Sequence, residues 1–173
     1  MDVDKETPGQ AAQAPFVAAG QAASQPPDLS TMTPREAADR LFNRVMMANE
    51  QGNGDEAMRF APMAIQAYDL LGTLDLDALY HVGRLQETIG DLEAAEAVIG
   101  DMRKTAPDHL LAILLEHDVA VQRGDEARAG EAAAAFLDAY DRELAQGRGE
   151  YGDHSASLEM FLAEARDEVK RQE

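Results

Sequence analysis

The stretch from Leu76 to Asp108, LDALYHVGRLQETIGDLEAAEAVIGDMRKTAPD, decides how the rest of the chain is read. Gly83 lies inside a first helical pattern, Gly90-Asp91 makes a turn, Ala95 opens a second helix and Pro107 closes the unit. Glycine accepts the left-handed backbone that ends a helix, and proline cannot continue one, so the pair is bounded at its turn and at its end.

Outward from this unit the same marks return. Gly52, Gly90 and Gly124 are 38 and 34 residues apart, and Ala57, Ala95 and Ala129 each lie five residues beyond their glycine. A small side chain there lets two helices approach closely. The four additional residues of the first interval fall near Leu71-Gly72.

The upstream unit begins with Thr33 as N-cap, Pro34 in the first helical position and Glu36 placed to complete a capping box. Leu41, Val45 and Ala48 share one face, and Gln51-Gly52-Asn53-Gly54 ends the helix. Asp55 is the expected cap of the next helix, which carries Ala57, Ala61, Ala64, Ile65 and Tyr68. Pro62 inside it is expected to kink it, because the ring displaces the bond to the Met58 carbonyl.

Downstream, after Pro107, Asp108 is the expected cap of a helix with Leu110, Leu111, Ile113, Leu114, Val119 and Val121. Gly124-Asp125 turns the chain into Ala129, Ala132, Ala133, Phe136, Leu137 and Tyr140. GRGEYG, at 147–152, reads as a surface connection. Ser155 then starts a last helix with Leu158, Phe161, Leu162, Ala165 and Val169 as its apolar stripe and Glu159, Glu164, Arg166 and Lys170 toward water. The count is seven helices. Residues 1–29, rich in Ala, Gln, Pro, Gly and Ser, sustain no period and read as a tail or strap.

The 34-residue return with matched glycine, alanine and proline resembles the tetratricopeptide repeat, a two-helix unit of about 34 residues. The resemblance implies an all-α solenoid over 33–173, with units at 33–71, 76–107 and 109–146 and a capping helix at 155–171. In that family the first helix of each unit lines a concave groove that receives a partner segment. Carried over by alignment, the groove positions are Asp39, Phe42, Met46, Asn49 and Glu50, then Asp77, Tyr80, Arg84, Glu87 and Thr88, then Leu111, Leu114, Asp118, Val121 and Gln122. Phe42, Met46, Tyr80, Leu111, Leu114 and Val121 would form an apolar floor with acidic edges. The family's carboxylate-gripping version needs several Lys, Arg and Asn, and here only Arg84 and Asn49 could serve, so that version is disfavoured.

Charge narrows the partners. Lys and Arg number 15 against 33 Asp and Glu, a formal charge of −18 without a local basic patch, so nucleic acid is an unsuitable ligand. With no cysteine, disulfides, thiolate chemistry and Cys-ligated zinc are excluded. The longest apolar run, Leu110 to Leu115, falls far short of a membrane span, and the acidic MDVDKET start lacks a signal peptide's apolar region. The expectation is a soluble chain, cytoplasmic or periplasmic.

Catalytic signals are absent. His109 and His117, eight residues apart, are the pair that could share a helix face with Glu116 or Asp118, but no metal-binding spacing accompanies them. Hydrogen-bonded or exposed histidines are the expectation, with no metal and no cofactor. Glu93/Glu96 and Glu164/Glu168 are expected on solvated faces. These readings point to a non-enzymatic protein-binding module for a segment mixing apolar anchors with Lys or Arg. The alternative is a structural subunit of a larger, membrane-associated assembly held through residues 1–29. The Ala-rich, Lys-poor composition suggests a bacterial source.

Overall fold

A computed structural model describes residues 32–172, so the tail at 1–29 lies outside the described residues. The described residues are all-helical, in eight helices where seven were expected: α1 (Pro34–Glu50), α2 (Gly54–Asp69), α3 (Leu76–Thr88), α4 (Leu92–Thr105), α5 (Leu110–Arg123), α6 (Glu126–Leu144), α7 (Gly149–Asp153) and α8 (Ser155–Gln172). Among them no helix is long and apolar enough to cross a membrane.

Each helix from α1 to α5 packs on the next, and α3 also touches α1 and α5. α8 lies against α6 and α5. Two apolar cores meet at α3. Ala78, Val82 and Leu85 face Leu41, Val45, Phe60 and Tyr68, whereas Tyr80 faces the core built around Leu111, Leu115, Phe136 and Phe161. A helix buried on both sides needs apolar residues on both, which α3 has.

One turn is used three times. Gly52, Gly90 and Gly124 have φ of 71°, 78° and 71°. After each, the N–H of Asn53, Asp91 or Asp125 closes back on the carbonyl of Ala48, Gln86 or Ala120 at 2.8–2.9 Å. The same Asn53, Asp91 and Asp125 side chains then accept the N–H groups of Glu56, Ala94 and Arg128, starting the following helix. A single dipeptide thus satisfies the end of one helix and the start of the next, each cap contributing on the order of 1 kcal/mol. Ala57, Ala95 and Ala129 are buried at the helix contacts that follow.

Several boundaries differ from expectation. Asn53, not Asp55, caps α2, because its side chain lies outside the first turn where the orphan N–H groups point. α4 begins at Leu92 under the Asp91 cap, three residues before Ala95. His109 rather than Asp108 occupies the N-cap of α5, without a side-chain bond. Pro62 is exposed within an α2 that runs from Gly54 to Asp69. The expected surface connection at 147–152 contains α7, where Tyr151 is buried, donates to Glu143 and accepts the Leu110 N–H.

Candidate functional site

The first helices of the three hairpins, α1, α3 and α5, share a face, and its chemistry divides by end. At the end where α3 begins, Arg35 spreads over three carboxylates, 2.9 Å from Asp39, 3.1 Å from Asp75 and 2.5 Å from Asp77. Tyr68, wholly buried on α2, donates its hydroxyl to Asp39 Oδ1 at 2.6 Å. The Tyr68 hydroxyl oxygen in turn lies 2.7 Å from His81 Nδ1. Having given its proton to a carboxylate, the hydroxyl can only accept there, so His81 carries its hydrogen on Nδ1 and a lone pair on Nε2. The His81 ring stacks on Phe42 at 3.8 Å, and burial holds its pKa down at about 4, leaving it neutral at pH 7.

His81 Nε2 faces His154 Nε2 at 3.2 Å and Asp77 Oδ1 at 3.5 Å, and His154 Nε2 lies 2.9 Å from that same oxygen. His154 follows α7 at the start of α8, and Tyr80 stands edge-on to its ring at 4.9 Å. Burial raises the Asp77 pKa, but the hydrogen bond from His154, His81 and Arg35 together outweigh it and hold the carboxyl below its ordinary value. Among the described residues this trio brings three ligand-type atoms together.

The opposite end is a polar strip. Asn49 donates to Thr88 at 3.1 Å and Gln122 to Glu87 at 2.7 Å, linking α1, α3 and α5. Arg84 pairs with Asp118 and lies 2.8 Å from Glu87 Oε2, a separation close enough for an ion pair but too poorly aligned for a hydrogen bond. Burial raises the Glu87 pKa against the pull of Arg84.

The apolar floor expected from the alignment is not open. Phe42, Tyr80, Leu111 and Leu114 are all buried, and Leu111 and Leu114 share a core with Tyr151, Leu158, Phe161 and Ala165 of α7 and α8. α7 and α8 bury the α5 part of that surface, whereas Phe42 is buried in the α1–α3 core against His81. Met46 is half-buried, Asn49 is exposed, and Val121 is 56 % exposed rather than in the helical stripe where it was expected. The acidic edges are also partnered: Asp39 and Asp77 by Arg35, Glu87 and Asp118 by Arg84.

His109 and His117 do not converge on each other's ligands. His109 Nε2 meets Glu150 at 3.1 Å, whereas His117 lies 3.2 Å from Asp118 and 3.0 Å from Glu168. Two acids expected in solvent therefore have partners, Glu168 in His117 and Glu96 in Arg128. The trio that does form is hidden in the sequence because His154 is 73 residues from His81. The Asp77/His81 spacing of one helical turn was the available signal. No family model, no curated protein and no solved structure matches the chain.

Proposed function

We propose that the chain is a helical-repeat protein of the tetratricopeptide type, a non-enzymatic module that holds a segment of another protein. The observation that carries this reading is the threefold turn: left-handed glycine, Asn or Asp cap, and buried alanine at one constant offset. A chain that repeats one hairpin sets its first helices side by side and offers partners the surface they share. With Phe42, Tyr80, Leu111 and Leu114 buried, the part of that surface left for a partner is the strip of Asn49, Thr88, Glu87 and Gln122, with Met46 and Val121 as apolar neighbours. Carboxylates dominate its surroundings, which favours a partner segment carrying Lys or Arg beside an apolar anchor.

The test is quantitative capture from the native cells with the wild-type chain and with an Asn49→Lys/Gln122→Lys variant. Both positions are exposed, so the variant should keep its helicity while adding positive charge to the strip. Loss of a partner that the wild type retains supports the reading. Equal recovery by both proteins removes the strip from consideration.

A further inference from the structure

From Asp77, His81 and His154 we infer a binding site for one divalent transition-metal ion, zinc being the best fit, that ties α3 to the α7–α8 corner. Asp77 Oδ1, His81 Nε2 and His154 Nε2 form a triangle with sides of 2.9, 3.2 and 3.5 Å. Ligand atoms bound to zinc at about 2.0–2.1 Å and disposed tetrahedrally lie roughly 3.3 Å apart. The point equidistant from the three atoms is about 1.9 Å from each, so an ion at bonding distance sits slightly out of their plane, at the centre of a tetrahedron with one corner free.

Proton bookkeeping points the same way. The Tyr68 contact leaves His81 Nε2 with a lone pair, and Asp77 Oδ1 is an acceptor. The single hydrogen that His154 Nε2 can carry is able to point straight at one of these two atoms, not both. A cation satisfies all three lone pairs at once.

The surroundings have the form of a metal site's outer shell. His81 Nδ1–H is anchored through Tyr68 to Asp39, and the second oxygen of Asp77 is held by Arg35. Outer bonds of this kind fix a ligand's tautomer and orientation, and their loss costs about 10–100-fold in affinity. An open cleft of about 530 Å³ passes Asp77 and is lined by Asp75, Glu150 and Asp153, an acidic approach for a cation. Two nitrogens and one carboxylate favour zinc over the all-oxygen sites of calcium and magnesium. This site does not depend on whether the strip at the other end of the face binds a protein.

The experiment titrates Co²⁺, then Zn²⁺, into the chelator-treated full chain, reading the visible bands of tetrahedral cobalt and the melting temperature. One Co²⁺ per chain, displaced by Zn²⁺, and a zinc-dependent rise in melting temperature are expected. His154→Gln should abolish the bands and the rise, His109→Gln should keep both, and Tyr68→Phe should weaken binding about 10–100-fold. His154 is only partly buried, and far-UV circular dichroism checks that its variant folds. If His154→Gln disturbs the fold, Asp77→Asn serves with the same readouts. A wild-type chain that takes up no stoichiometric metal, or a folded His154→Gln chain that binds equally well, overturns the assignment.

Discussion

Gly83→Ala is the substitution whose consequence follows most directly from packing. Gly83 is buried in α3, and a Cβ placed there would stand 2.2 Å from Leu115 Cδ2 and 3.4 Å from Val98 Cγ1. Carbon atoms in contact prefer about 3.5–4.0 Å, so the Leu115 end must retreat by more than 1 Å within a core where it is fully buried. Overpacking of this kind costs about 1–3 kcal/mol. Alanine's helix propensity returns about 1 kcal/mol, so the net expectation is a loss of roughly 0–2 kcal/mol. Leu115→Ala alone leaves a cavity and should cost about 2–5 kcal/mol. In the double variant the new methyl occupies part of that cavity without a clash. The two losses should therefore fail to add, with a favourable coupling of about 1 kcal/mol or more in a double-mutant cycle from urea unfolding. Additivity within about 0.5 kcal/mol would refute the close approach of α3 and α5 at Gly83.

Three further outcomes are expected. Tyr68→Phe in metal-free protein removes the bond to Asp39 and strands a buried His81 N–H, for a loss of about 2–4 kcal/mol in urea; a loss under about 0.5 kcal/mol would contradict the relay. Burial, outweighing Glu150, holds His109 below its ordinary pKa, so its contribution is intact above about pH 6.5 and is lost as pH falls below it. His117 runs the other way: burial lowers it, but Asp118 and Glu168 prevail and raise it, so its contribution is complete below about pH 6.5 and fades as pH climbs through the raised value. Urea midpoints from acid to mildly alkaline pH should show His109→Gln flattening the acid loss and His117→Gln flattening the alkaline one, and a variant that leaves its own limb unchanged refutes that assignment.

The sequence makes the turns readable because their cause is local. Gly52, Gly90 and Gly124 are needed for a left-handed backbone, and Thr33, Pro34 and Glu36 form the expected capping box within four residues. The α8 stripe is equally plain, with Leu158, Phe161 and Ala165 buried one and two turns apart. The burial of the expected groove floor is not readable, since it depends on how α1, α3 and α5 pack together and on where α7 and α8 fold back. Phe42 and Tyr80 sit where the repeat alignment puts exposed groove residues, yet both are buried in aromatic contacts with His81 and His154. Three glycines in 147–152 conceal α7, although Tyr151 gives it a buried anchor. Composition counts the acids but does not say that Arg35 gathers three of them.

The partner-binding claim is tested most directly by photo-crosslinking in the native cells. A photoreactive residue at Asn49 or Val121 samples the strip, and one at Ala97, on the exposed side of α4, serves as the control. A discrete crosslinked protein is expected from positions 49 and 121 and is expected to be missing from 97. A product that forms equally from 97, or none from the strip positions, would contradict it.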